Sequence, residues 1–177
     1  AYGIVKNHGG AITAYSEPGH GTTITIYLPL SQRKAEREKT APPHPVGGTE
    51  TVLLVDDEAM ILDVGKAMLE RLGYRVLTAG GGREAVECLS QQGGTINLVI
   101  LDMIMPGMDG GETFDRVREI APAMPVILSS GYSINGQATD IMARGCSGFI
   151  QKPFNIGELS NHVRQVLDAG KEPPEGQ

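Results

Sequence analysis

Residues 98–110 read LVILDMIMPGMDG: an apolar run that drives into an acid, Asp102, and then into a loop with one proline and two glycines. Four apolar residues in succession predict a strand buried on both faces, the habit of parallel sheets. An aspartate ending such a strand stands at the carboxyl edge, where open α/β sheets place their chemistry. The plainer alternative is that Asp102 only caps a loop.

The pattern extends in both directions. Val52–Val55 reads as a buried strand that ends in Asp56-Asp57-Glu58, and helical periodicity follows from Ala59 to Leu72, stopped by Gly73. Arg75–Ala79 reads as a strand and Gly82–Gln91 as a helix. After the central strand come a helix over Gly111–Ile120, a strand at Val126–Leu128 ending in Ser129-Ser130, and a helix near Gln137–Arg144. A short strand at Gly148–Ile150, then Gln151-Lys152-Pro153-Phe154, and a helix over Ile156–Ala169 complete the series. Five βα units with short links predict an α/β fold, a doubly wound five-stranded parallel sheet with helices on both faces.

In such a sheet every strand delivers its last residues to one edge. Asp56 and Asp57, Asp102, Ser129 and Ser130, and Lys152 therefore converge. Three carboxylates in one pocket repel one another, and a divalent cation is the natural remedy. Oxygen-only ligands on loops suit Mg²⁺, which keeps waters and leaves room for a phosphate. A carboxylate is also a nucleophile for a phosphoryl group, with serine and lysine to serve the phosphoryl oxygens.

With LLVDDE, LDMIMPGMDG, PVILSSGYS and GFIQKPF in this order, residues 50–170 resemble a response-regulator receiver domain over its full length. The resemblance implies a flavodoxin-like strand order of 2-1-3-4-5. It implies Asp102 as phosphoacceptor and Asp57 as a direct Mg²⁺ ligand, with Asp56 helping directly or through water. The main-chain carbonyl of Ile104 becomes the third protein ligand. Ser130, 22 residues before Lys152, takes the switch position, and Ser129 is left as its strand neighbour. Lys152 pairs with the phosphoryl group, Phe149 holds the aromatic switch position, and Lys152–Pro153 is cis. The implied partner is a histidine kinase or histidine phosphotransfer protein that donates from phosphohistidine. Ser130 then moves toward the phosphoryl group, Phe149 turns inward, and the face built from the receiver's fourth helix, fifth strand and fifth helix changes. Tyr132 and Ile104 occupy positions that tune dephosphorylation in the family.

Plainer roles stand beside these. Asp56 or Asp57 could cap the first helix. Ser129 or Ser130 could only satisfy a strand end, Lys152 could be a surface charge, and Phe149 could be core. Met103, Met105 and Met108 suit apolar loop packing better than a soft-metal site, because Mg²⁺ does not favour sulfur. An Asp-nucleophile phosphatase of the haloacid-dehalogenase type would need a second acid at position 104, where this chain has isoleucine. A pseudo-receiver acting only as a protein-binding module usually lacks one of the acids or the lysine, and all are present here.

The first 30 residues have another character. Tyr2–His8 reads as a helix end closed by Gly9-Gly10; Ile12–Ser16 and Thr22–Leu28 read as strands about the turn Glu17–Gly21. YGIVKNHGGAITAYSEPGHGTTITIYLPL resembles the last part of the ATP-binding domain of sensor histidine kinases. Gly19, Gly21 and Thr22 match its final glycine-rich box. The family's asparagine-bearing box, earlier glycine box and phosphorylated histidine are absent from this sequence, and His8 is not that histidine. No kinase activity is therefore expected. Pieces below roughly 40 residues rarely fold alone, so this remnant is expected to be disordered or a hairpin paired against another surface, such as a second copy. Residues 31–49 carry a mixed charge run, prolines and Gly47-Gly48, and read as a solvated linker. Residues 171–177 read as a loose tail.

The whole resembles the end of a hybrid sensor histidine kinase, with the receiver passing phosphate onward or regulating its own kinase. The 177 residues begin without an initiator Met inside a patterned segment, which reads as a piece of a longer chain. A net charge of −6 argues against nucleic-acid binding by bulk electrostatics. No run of 18 apolar residues or secretory leader is present, so this fragment is expected to make no membrane contact and to be cytoplasmic. Cys88 and Cys146 lack metal-ligand spacing and are expected to be two buried free thiols. Homodimerisation is expected, if at all, through the hairpin or the switch face.

Overall fold

A computed structural model describes residues 5–6, 9–29, 45–131 and 136–170. The chain divides into two compact units, 1–41 and 42–177. His8, the charge run of the linker, Tyr132 and the tail lie outside the described residues.

In the first unit, strands β1 (Ala11–Glu17) and β2 (Gly21–Tyr27) pair antiparallel in register from Ala11↔Tyr27 to Glu17↔Gly21. The structure gives this stretch as a hairpin. Its turn needs glycine at two places, because Gly19 and Gly21 have φ of +79° and +89°. Alternation puts Ile12, Ala14, Ile24 and Ile26 on one face, where Ile24 and Ile26 are exposed.

The second unit runs β3 (Thr51–Val55), α1 (Ala59–Arg71), β4 (Arg75–Ala79), α2 (Gly82–Gln92), β5 (Leu98–Asp102), α3 (Gly110–Ile120), β6 (Val126–Ser130), α4 (Gly136–Ala143), β7 (Gly148–Gln151) and α5 (Ile156–Ala169). All strand pairs are parallel and the sheet order is β4-β3-β5-β6-β7. Numbered within this unit alone, that is the expected 2-1-3-4-5.

Strand alternation splits the core into two halves. Leu53, Val55, Val99, Leu101, Val126 and Leu128 pack with Ala85 and Leu89 of α2, Phe114 and Val117 of α3, and Ile141 of α4. Val52, Leu54, Leu98, Ile100, Ile127 and Ile150 pack with Leu69 of α1 and with Leu159, Val163 and Leu167 of α5. Val52–Val55, Leu98–Leu101 and Val126–Leu128 are therefore unbroken apolar runs, as a sheet covered on both faces requires.

Several expectations need correction. β5 continues through Asp102, and β6 through Ser130, because Asp102 pairs with Ser129 and the Met103 amide donates to the Ser129 carbonyl at 3.0 Å. A short 3₁₀ turn over Gly93–Thr95 was not foreseen from its two glycines. Helix α3 starts at Gly110 because Asp109 caps it, accepting from the Glu112 amide at 2.9 Å. Only Cys146 is a buried thiol; Cys88 is half-buried at the rim of the first core half.

The last residues of the expected linker are not free. The Ser160 hydroxyl donates to the Val46 carbonyl at 2.8 Å, and the Gly48 amide to the Leu72 carbonyl at 3.0 Å. A Cβ at Gly47 would lie 1.8 Å from that same carbonyl. Close approach, rather than flexibility, explains the glycine at position 47. Arg164 of α5 donates to both Glu50 carboxylate oxygens at 3.0 Å.

Phe114 is 1% exposed and has the Arg118 guanidinium 5.0 Å from its ring centroid. Phe114→Ala is expected to cost about 3–5 kcal/mol, read as a lower urea midpoint of the second unit's transition.

Candidate functional site

The carboxyl ends of β3, β5 and β7 bring the expected acids and lysine together. Asp56, Asp57 and Asp102 each offer a carboxylate oxygen, and these three atoms lie within 4.8 Å of one another. Asp56 and Asp102 are buried, 2% and 6% exposed, while Asp57 is exposed. Lys152 reaches across two strands. Its Nζ donates to Asp56 Oδ2 at 2.5 Å and to Asp102 Oδ1 at 2.7 Å.

The other carboxylate oxygens take backbone amides. Asp56 Oδ1 accepts from Glu58 at 3.0 Å, and Asp102 Oδ2 from Ile104 at 3.3 Å. Capping by Asp56 or Asp57 is not what starts α1: its N-cap residue is Glu58, with no side-chain cap. The loop after Asp102 closes through the Gly110 amide, which donates to the Met103 carbonyl at 3.1 Å. A Cβ at Gly110 would lie 2.6 Å from the Asp102 carbonyl, so glycine lets α3 begin against the strand end.

Electrostatics follow from this packing. Burial pushes the Asp102 carboxyl above its ordinary range, and the Lys152 ammonium only partly offsets that. Burial alone would lower the Lys152 ammonium, but hydrogen bonds and charge from Asp102 and Asp56 outweigh it and raise its pKa. The ammonium is thus held charged between two acids.

Ser130 is buried at the end of β6, and its carbonyl accepts from the Lys152 amide at 2.7 Å. By alternation it shares the face of Leu128 and Phe149, and Phe149 is half-buried against that core half. Ser129 falls on the face of Asp102. The Lys152–Pro153 peptide is cis. Met103 and Met105 are buried in the first core half, which fits packing. The Ile104 side chain is 59% exposed. Gly19, Gly21 and Thr22 lie at the hairpin turn of the other unit, where the Thr22 and Ser16 hydroxyls are 3.0 Å apart.

An apolar groove of about 460 Å³ beside Lys152 was not singled out from sequence. Ile61, Val64, Gly65 and Met68 of α1 form one wall, Pro153 and Phe154 the other. Its signal was present in Val64, an apolar residue of α1 that stays exposed.

A parallel sheet in this order, with acids and a lysine gathered at its carboxyl edge, defines a receiver. The family model for the response regulator receiver domain matches residues 52–164, and the chain belongs to that family. It is 35% identical over 176 residues to the sensor kinase CckA of Brucella abortus, covering 94% of this chain and 19% of that kinase. It is 32% identical to the sensor protein EvgS of Escherichia coli, covering 92% of this chain and 14% of EvgS. The transcriptional regulatory protein YvrH of Bacillus subtilis is 35% identical over 66% of this chain and 48% of its own length. Among solved structures, the chemotaxis protein CheY4 of Vibrio cholerae superposes with a TM-score of 0.63 at 29% identity, over 67% of this chain and 99% of its own. The chain thus spans less than half the length of these curated relatives.

Lys152→Met leaves two buried carboxylates without their cation. At pH 7 without divalent metal it is expected to destabilise the second unit by roughly 3 kcal/mol in chemical denaturation. Asp102, with its folded pKa raised, stabilises the fold when protonated and loses that contribution as pH rises through the folded value. The deficit should therefore shrink in acid.

Proposed function

We propose that this chain is the phosphoacceptor module of a two-component phosphorelay, taking a phosphoryl group from phosphohistidine onto Asp102. The observation that carries this is the convergence of Asp56, Asp57, Asp102 and Lys152 at one sheet edge. An Asp102 carboxylate oxygen attacks phosphorus, the P–N bond breaks, and an aspartyl phosphate forms. Lys152 is already bonded to Asp102 and neutralises charge on the transferring group.

The donor set fits Mg²⁺: clustered carboxylate oxygens, one of them exposed to solvent. Asp56, Asp57, Asp102 and the Ile104 carbonyl would hold it. When bound, the ion supplies charge neutralisation for phosphoryl oxygens. Ser130 and Phe149, on one face of neighbouring strands, are the proposed switch pair. The groove along α1 and Phe154 opens beside Lys152 and offers the histidine-bearing partner an apolar surface. A pseudo-receiver has less support, because every group the chemistry needs is present. A phosphatase lacks its second acid at Ile104.

The hairpin unit is read as the end of a kinase ATP-binding domain in a hybrid sensor kinase. Matches to CckA and EvgS cover 92–94% of the chain, whereas the match to YvrH covers 66%. The parent would work at the cytoplasmic side, where ATP is available. Among the described residues no helix is long and apolar enough to cross a membrane.

Acetyl phosphate with Mg²⁺ should label the wild-type chain and not Asp102→Asn; full labelling of that variant would refute the assignment. Mg²⁺ at 100 times its Kd should add about 2.7 kcal/mol of stability. Asp57→Asn should lose most of that gain, read by denaturation with and without the ion.

A further inference from the structure

On the sheet face that carries Asp102, one buried polar atom is left over. Ser129 is 3% exposed, and its Oγ is the buried side-chain oxygen without a hydrogen-bond partner among the described residues. A hydroxyl buried this way costs stability in this state, and a state that gives it a partner recovers that cost.

Its place in the sheet shows what could use it. Ser129 pairs with Asp102 on one side and Ile150 on the other. Strand β6 lies between β5 and β7, so Lys152, two residues beyond Ile150, crosses the end of β6 to reach Asp102. Alternation puts Ile127, Ser129 and Gly131 of the β6 segment on that face. Ser129 therefore supplies its only side-chain oxygen there. The Lys152 ammonium has three N–H donors, and two are taken by Asp56 Oδ2 and Asp102 Oδ1.

A divalent cation must draw on those same carboxylates. Asp56 Oδ1 accepts from the Glu58 amide and Oδ2 from Lys152, so a cation drawing on Asp56 competes with one of these bonds, and the Lys152 ammonium is the partner that like charge repels. We propose that Ser129 is a positioning residue for Lys152, its hydroxyl receiving the ammonium when a divalent cation displaces it from Asp56. This rests on the Mg²⁺ reading above. Without Ser129 the displaced N–H would remain unpaired in a largely buried site, and metal binding would weaken.

The test is Mg²⁺ titration of the full chain, followed by backbone amide NMR shifts, with chemical denaturation of the metal-free protein alongside. Ser129→Ala should leave the metal-free fold as stable as wild type or more so, yet weaken Mg²⁺ binding about three- to tenfold. Ser129→Thr, which keeps the hydroxyl, should bind within about twofold of wild type. In a Lys152→Met background, Ser129→Ala should change Mg²⁺ affinity no further, because the effect runs through Lys152. Should that background fail to fold, the ¹⁵N resonance of Lys152 Nζ serves instead: its Mg²⁺-induced shift should differ between wild type and Ser129→Ala. Unchanged affinity in Ser129→Ala, an unaltered Nζ shift, or equal weakening without Lys152 would overturn the proposal. Wild type that binds no Mg²⁺ would overturn both this inference and the metal reading, whereas wild-type binding matched by Ser129→Ala sinks the inference alone.

Discussion

The second unit depends on one ion cluster. Two carboxylates, Asp56 and Asp102, are buried at the same sheet edge, and Lys152 is bonded to both. Either acid left charged and unpaired there would cost several kcal/mol. The three groups come from β3, β5 and the segment after β7, so none can be neutralised until the strands are in order. The cation also comes from the far side of β6. Only a long, unbranched side chain spans that gap, since neighbouring strands lie about 4.8 Å apart.

Strand alternation decides what this cluster can influence. Asp102 and Ser129 look toward the half of the core built on α1 and α5. Ser130 and Phe149 look toward the half built on α2, α3 and α4. Two adjacent serines thus sit in opposite halves of the molecule. The link between halves is short and covalent: Ser129 and Ser130 share a peptide, and the Ser130 carbonyl holds the Lys152 amide. A change of charge at Asp102 is therefore one residue from the face where Phe149 packs.

Much of this was legible in sequence, for a definite reason. Strands such as Leu98–Leu101 are buried on both faces, so they appear as unbroken apolar runs, and each ends in the polar residue it delivers to the edge. Parallel topology then brings those residues together without further information. What could not be read depends on neighbours remote in sequence. Gly47 and Gly48 look like flexible linker residues until the Leu72 carbonyl is seen against them. Ser129 looks like the lesser of two serines until register places it beneath the path of Lys152. Cys88 follows the helical period of α2 inward, yet stops at the rim of the core.

Helix α5 ties the site to the segment that leads into the domain. Its N-terminus follows Lys152-Pro153-Phe154 directly, and a capping box fixes it there. Asn155 accepts from the Glu158 amide at 3.0 Å, and the Glu158 carboxylate accepts from the Asn155 amide at 3.0 Å. Farther along, Ser160 and Arg164 hold Val46 and Glu50, and the Asp168 carboxylate takes the other arm of Arg164. Those contacts raise the guanidinium pKa, with Asp168 the largest cause, so Arg164 stays charged at any ordinary pH. A helix of 14 residues spans roughly 21 Å and behaves as a rod on that scale. Fastened to the ion cluster at one end and to residues 46–50 along its length, it gives the acidic edge of the sheet a mechanical connection to the segment that leads into β3.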